Sequence, residues 1–307
     1  MSDLETIAFI GLGNMGMPMV SRLVGAGYPV RGFDVSAEAL SRLGEIGAEG
    51  FPTASAAVEG ADVVILMLPN SAIVSSVIDD LLTRSALRPG VIVVDMSSSE
   101  PLSTRELSKT LAEHRVSLVD APVSGGVTGA RNGTLTVMVG GDDDAVETVV
   151  PVLSTVGRPV RCGAVGAGHA IKALNNLLSA THLWATSEAM EAGVAFGLDP
   201  AVMLSVFNSS SGRSGSTENK WPNFVLPAGY DSGFGLALML KDMKIALDLA
   251  RSSGAPDTMS AKAVELWSDA ASNLDPKADH TEVAWWVAST GATPRDDASA
   301  APRPRSE

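Results

Sequence analysis

The run Ile7-Ala8-Phe9-Ile10 passes straight into Gly11-Leu12-Gly13-Asn14-Met15-Gly16, and helical spacing follows. An apolar strand that ends in Gly-x-Gly-x-x-Gly and enters a helix is the opening unit of a doubly wound α/β domain. Each glycine has its own task there: Gly11 permits the tight turn, Gly13 lets a pyrophosphate approach the backbone, and Gly16 lets the helix pack on the strand. Leu12, Asn14 and Met15 complete the turn, and the helix start offers amide donors and a positive dipole end to phosphate. Eighteen residues after Gly16, a second strand, Pro29-Val30-Arg31-Gly32-Phe33, ends in Asp34. An acid at that place bonds ribose hydroxyls, and its charge repels a 2′-phosphate. The expected cofactor is therefore NAD, while Arg31, three residues earlier, leaves NADP open.

At 307 residues the chain exceeds the usual size of one core, so two domains are expected. From residue 6 to about 163, the strands Ile7–Ile10, Val30–Phe33, Val63–Met67, Val91–Asp95, Ser117–Asp120, Thr136–Val139 and Pro159–Cys162 alternate with helical segments. That alternation predicts a largely parallel sheet. Beyond Gly168, residues 169–198, 199–208, 236–253 and 259–272 carry helical apolar spacing with few β-branched runs. The expected organisation is an N-terminal doubly wound Rossmann domain (1–164), an all-α C-terminal domain (165–291) and a disordered Pro-, Ala- and Arg-rich tail (292–307). A helix starting near Gly168 meets no breaker before Gly193 and Gly197, long enough to join the domains. Gly163, Gly166 and Gly168 ahead of it are read equally as a close approach to cofactor, a hinge, or a plain helix entry.

Composition narrows the partners. A net charge of -13 argues against nucleic acid or an anionic membrane surface, and it requires a small anionic substrate to be held by local donors. The single cysteine, Cys162, rules out an internal disulfide, suits a reducing cytoplasm and reads as a buried small residue. No apolar run reaches the roughly 18 residues of a membrane span, and the acidic N-terminus does not read as a targeting signal. No cluster of His, Cys or carboxylates has ligand spacing, so no metal is expected.

Chemistry concentrates in two places. On the long helix Gly168, Lys172, Asn175 and Asn176 stand at i, i+4, i+7 and i+8, one face of an otherwise apolar stretch. One reading is a polar seam satisfied by backbone carbonyls. The other is a lysine whose burial lowers its pKa toward working pH, so that it exchanges a hydroxyl proton while hydride moves to nicotinamide, with Asn176 holding lysine and substrate in register. In Asp120-Ala-Pro-Val-Ser124-Gly125-Gly126, a strand feeds a turn whose successive amides can form an anion nest for a carboxylate. His169 and His182 read as satisfied helix residues, and Asp279-His280-Thr281-Glu282 as a helix N-cap segment.

Phe9-Ile-Gly-Leu-Gly-Asn-Met-Gly-Met-Pro18, Asp120-Ala-Pro-Val-Ser-Gly-Gly126, Gly133-Thr-Leu-Thr-Val-Met-Val-Gly-Gly141, Gly166-Ala-Gly-His-Ala-Ile-Lys172-Ala-Leu-Asn-Asn176 and Leu240-Lys241-Asp242-Met243 together resemble the β-hydroxyacid dehydrogenase family, and within it the 3-hydroxyisobutyrate dehydrogenases. The likeness runs in order from residue 6 to about 290. It implies that Lys172 is the catalytic lysine, that Ser124, Gly125 and Gly126 with Asn176 bind the substrate carboxylate and hydroxyl, and that Lys241 reaches toward substrate and nicotinamide. It implies cofactor contacts from Leu68, Pro69 and Ser98, NAD use from Phe33-Asp34-Val35, and a dimer or tetramer built through the helical domain. The family usually carries tryptophan where Gly215 stands, which implies a roomier pocket; Trp221, Trp285 and Trp286 could supply another aromatic wall but read more readily as packing residues. The implied reaction is NAD-dependent interconversion of a small 3-hydroxy carboxylate and its semialdehyde or ketone. The rivals are a tartronate or succinate semialdehyde reductase, an L-serine or sugar-acid dehydrogenase, an imine reductase, against which Lys172 counts, and a non-catalytic NAD-binding protein in which Lys172 and Lys241 are structural.

Overall fold

A computed structural model describes residues 5–290; the expected tail lies outside the described residues, as do Met1–Leu4. The chain divides into two compact units, Met1–Lys172 and Ala173–Glu307.

In the first unit β1 (Ile7–Ile10), α1 (Gly16–Gly25), β2 (Val30–Phe33), α2 (Ala37–Ser41), β3 (Glu49–Gly50), α3 (Ala54–Val58), β4 (Val63–Leu66), α4 (Ser71–Thr83), β5 (Ile92–Asp95), α5 (Pro101–Glu113) and β6 (Ser117–Asp120) alternate. They are followed by β7 (Val123–Ser124), α6 (Gly126–Asn132), β8 (Leu135–Gly140), α7 (Asp143–Leu153) and β9 (Gly157–Gly163). The sheet order is β3-β2-β1-β4-β5-β6-β8-β7, with β9 on β8. The first six strands are parallel, β8 runs antiparallel to β6 and β7, and β9 is parallel to β8. Two strands exceed the seven expected. Glu49–Gly50 and Val123–Ser124 are two residues each, too short to show alternation.

Both faces of the sheet are covered, as parallel strands require. Ile7 and Phe9 of β1, Val63 and Ile65 of β4, and Ile92 and Val94 of β5 enter one core. Their alternating neighbours Ala8, Ile10, Val64, Leu66 and Val93 enter a second. Near-continuous apolar runs were therefore the right strand signal, because there is no solvent face to alternate with.

β6 ends in Asp120, which is fully buried. Its Oδ1 accepts the Gly166 amide at 2.7 Å and its Oδ2 the His169 amide at 2.9 Å, so the carboxylate caps the first turn of α8 (Ala167–Phe196). A Cβ at Gly168 would overlap the Met138 carbonyl and crowd Asp120, which is why that turn carries glycine. The His169 ring is held by Thr104 Oγ1 at 2.8 Å and the Ser97 carbonyl at 3.1 Å, a satisfied buried residue.

The second unit begins within α8 and adds α9 (Pro200–Asn208), a π-helical segment Ser216–Val225, α10 (Leu236–Ser252), α11 (Thr258–Asn273), a 3₁₀ turn His280–Glu282 and α12 (Val283–Ser289). α8 stops where Gly197 turns to a φ of +96°. Trp221 and Trp267 are fully buried in this unit's core, with Trp285 and Trp286 packed against it. Asp279 caps the 3₁₀ turn and Glu282 returns a bond to its amide, a complete capping box around His280. The helix that the Asp279–Glu282 cap announces is α12, whereas the π segment was not expected, since Pro222 breaks the local 3.6-residue spacing.

Replacing Asp120 by alanine orphans two buried amides, at about 1–3 kcal/mol each. We expect Asp120→Ala to lower the thermal midpoint by several degrees in a melting scan, on the order of twice the loss for Asp120→Asn, which keeps one acceptor.

Candidate active site

The expected cofactor residues fall at the carboxyl ends of parallel strands, the edge where open α/β sheets bind ligands. Gly11–Gly16 follow β1, Asp34 follows β2, Leu68 and Pro69 follow β4, and Ser98 follows β5. Gly11 has a φ of +103°, and a Cβ there would overlap the Met67 carbonyl. A Cβ at Gly16 would overlap the Gly11 carbonyl, whereas one at Gly13 meets open space, so no protein atom demands glycine at that position. Met15 caps α1 with no side-chain acceptor, and no acid occupies the first turn, so the helix start keeps its donors and positive dipole end for an anion. A cleft of about 480 Å³ lies along this turn, lined by Leu12, Gly13, Asn14, Asp34, Ser36 and Arg42 among others.

Asp34 is pre-positioned by its own backbone neighbours. Oδ2 accepts the Leu12 amide at 2.6 Å and Oδ1 the Ser36 amide at 2.8 Å. Arg31 does not share this place: its guanidinium donates to the carbonyls of Ala56 and Ala57 and stacks on Phe51 at 3.9 Å. The feature that left NADP open in the sequence is thus spent on packing. The Leu68 amide donates to Ser97 Oγ at 2.9 Å, and the Leu68 side chain lies beside Gly11; Pro69 is exposed and Ser98 half-buried.

After β6, Gly125 and Gly126 both take positive φ, +131° and +62°, between half-buried Ser124 and α6. Both glycines are exposed, so the turn presents its backbone outward, as an anion nest requires.

On α8, Lys172 and Asn176 are buried, 8% and 5% exposed, one turn apart. Asn175 departs from expectation. It is exposed, and its amide reaches only to Asn176 Oδ1 at 3.2 Å. At 100° per residue Asn175 sits on the flank of the Gly168–Lys172–Asn176 stripe, and Ser179, at i+7 from Lys172, continues the stripe instead. His182 is exposed.

Asn176 Nδ2 donates to Asp242 Oδ2 at 2.6 Å, joining α8 to α10. Asp242 is 1% exposed, and the Lys241 ammonium stands 3.2 Å from its other oxygen. This carboxylate fixes which way the Asn176 amide faces and draws in the Lys241 head, a role that was not expected from the motifs. The available signal was an acid standing among Met239, Leu240 and Met243, all buried, where a charge needs partners. Cys162 is half-buried on β9 rather than buried, because β9 pairs with β8 alone; burial still raises its thiol pKa. At Gly215 a Cβ would meet open space, and Trp221 is a packing residue. Among the described residues no group of three His, Cys, Asp or Glu could hold a metal, and no helix is long and apolar enough to cross a membrane.

Two family models match consecutive parts of the chain. Residues 6–166 match the NAD binding domain of 6-phosphogluconate dehydrogenase, and residues 166–287 match the NAD-binding model of NADP-dependent 3-hydroxyisobutyrate dehydrogenase. The chain is 40% identical over 272 residues to an NAD-dependent L-serine dehydrogenase of Pseudomonas aeruginosa, covering 86% of this chain and 91% of that protein. It is 37% identical over 263 residues to a 2-(hydroxymethyl)glutarate dehydrogenase of Eubacterium barkeri, covering 85% and 87%. A solved Mycobacterium tuberculosis 3-hydroxyisobutyrate dehydrogenase with L-serine superposes with a TM-score of 0.87 at 35% identity, over 92% of this chain and 99% of that one. With the glycine turn, the acid after β2 and the buried lysine–asparagine stripe already in place, these matches make the chain a member of the β-hydroxyacid dehydrogenase family, an NAD(P)-dependent oxidoreductase acting on CH–OH groups.

Proposed function

We propose that the protein interconverts a small 3-hydroxy carboxylate of the 3-hydroxyisobutyrate kind and its semialdehyde with NAD. The observation that carries this reading is the buried pair Lys172 and Asn176 on one helical stripe, with the Asn176 amide oriented by Asp242. A neutral amine accepts a hydroxyl proton. In this reading Lys172 Nζ takes the proton of the substrate hydroxyl as the carbinol C–H bond breaks, and returns it in the reverse direction. When bound, the nicotinamide supplies the hydride acceptor. Asn176 donates to the substrate hydroxyl, the amides at Ser124, Gly125 and Gly126 hold the carboxylate, and Lys241 adds positive charge for the anion.

Gly11, Leu12, Gly13, Asn14, Met15 and Gly16 would seat the pyrophosphate, with Leu68, Pro69 and Ser98 against the rest of the cofactor. Asp34, held by the Leu12 and Ser36 amides, favours a free ribose over a 2′-phosphate, and the commitment of Arg31 elsewhere supports the same choice. L-serine is a 3-hydroxy acid as well, and the likeness to an L-serine dehydrogenase makes it the second candidate substrate. The reading includes a cytoplasmic enzyme, in keeping with a lone thiol that has no disulfide partner.

The test is a spectrophotometric panel of 3-hydroxyisobutyrate, L-serine, glycerate and other 3-hydroxy acids with NAD and with NADP. Reduced nicotinamide should form with at least one acid, with NAD preferred by about tenfold or more in kcat/KM, the order of one lost charge contact. No reduction with any acid would contradict the reading and leave a cofactor-binding protein without this chemistry.

Oligomerisation through the helical part is supported by an apolar face that the described chain leaves bare. Ile171, Leu174 and Leu178 on α8, with Val202 and Val206 on α9, are 41–60% exposed at helical spacing. Light scattering should give a dimer or tetramer mass; a monomer at micromolar concentration would count against it.

A further inference from the structure

The π-helical segment Ser216–Val225 carries a cation that the reaction as described does not use. Lys220 points its ammonium at Ser179, donating to Oγ at 2.8 Å and to the carbonyl at 3.2 Å. An ammonium has three N–H groups, and the third has no acceptor among the described residues. No carboxylate there lies within ion-pairing distance of it. The charge of Asp279 favours the cation from further away, and the Asp279 oxygens already serve Ser232, Thr281 and the amides of Gly233 and Phe234. Burial accordingly pulls the Lys220 pKa down to about 8. A largely buried cation with a free donor and no counter-ion is costly on its own, and an anion arriving from outside removes that cost.

Position says which anion. Lys172, Asn176 and Ser179 stand at i, i+4 and i+7, so Ser179 lies about 5 Å along α8 from Asn176 and about 10 Å from Lys172. A molecule lying along that stripe with its hydroxyl at Lys172 carries its far end to the level of Ser179, where the Lys220 ammonium waits. Helical segments of the π type cluster at functional sites, because the extra residue per turn re-aims a side chain.

We propose that Lys220 is a specificity-determining residue that binds a second carboxylate at the far end of the substrate, so that the preferred substrates are 3-hydroxy acids carrying a distal carboxylate. This rests on the reading of Lys172 and Asn176 given above, and it narrows that reading from small hydroxy acids to dianionic ones.

Initial rates with 2-(hydroxymethyl)glutarate and with 3-hydroxyisobutyrate, in the wild type, Lys220→Met and Lys220→Arg, decide it. The wild type should favour the dicarboxylate by about tenfold or more in kcat/KM, and Lys220→Met should raise its KM by about tenfold with kcat and the monocarboxylate constants within about threefold. Lys220→Arg should retain most of the preference. A wild type with no preference, or a Lys220→Met variant that loses both substrates equally, overturns the proposal. Calorimetric titration of the wild type and Lys220→Met with glutarate and with butyrate, at saturating NADH, separates the two readings. Glutarate binding that depends on Lys220, in a protein that oxidises neither acid, would uphold the second anion site and reject the reaction; equal binding of the two acids would reject the site. If Lys220→Met does not fold, the wild-type preference and the Lys220→Arg variant still support or overturn the proposal.

Discussion

The carboxylate of Asp120 ties the sheet to the start of α8, the helix proposed to carry the chemistry. It is wholly buried at the end of β6, and its two oxygens accept the Gly166 and His169 amides at the start of α8. A buried anion in a chain of net charge -13 is tolerable at this point because the positive end of a 30-residue helix faces it. Gly168 brings the helix close enough for both bonds, and His169 locks the turn to Thr104 and Ser97. Lys172 follows three residues after His169, within one turn of this cap.

Two further carboxylates work in the same way, by aiming something else. Asp34 is held by the Leu12 amide of the glycine turn and the Ser36 amide two residues after it, and Asp242 sets the face of the Asn176 amide. None of these three acids needs to change charge for the proposed reaction. The groups assigned to proton movement and anion capture are lysines and backbone amides, which suits an anionic substrate in an acidic protein. Local donors have to overcome the overall field, and each lysine is held by an oxygen already in place: Lys241 by Asp242, Lys220 by Ser179.

Much of this was legible in the chain, for reasons that differ by residue. Gly11 and Gly16 were readable because their demands are steric and local; the atoms a Cβ would strike, at Met67 and Gly11, belong to the same turn and the strand end beside it. The parallel strands were readable because both faces are buried and the runs are continuously apolar. Two-residue β3 and β7 left no period to detect. Asn175 was grouped with Asn176 because i+7 and i+8 both lie near a helical stripe, and only packing shows which of them turns inward. Arg31 looked available to a phosphate until the carbonyls of Ala56 and Ala57, 25 and 26 residues away, were seen to hold it. Asp242 and Lys220 were missed because their partners, Asn176 and Ser179, stand 66 and 41 residues away, beyond any local pattern.

The central claim is that Lys172 moves the proton that accompanies hydride transfer. It is tested most directly by comparing Lys172→Met with wild type, with turnover of the best acid from the substrate panel and NADH affinity by fluorescence titration measured on the same preparation. The account predicts that kcat falls by about 10²–10⁴-fold, the range for loss of a general acid or base, while NADH binds as in wild type. A folded variant that keeps more than a few per cent of wild-type turnover would contradict it.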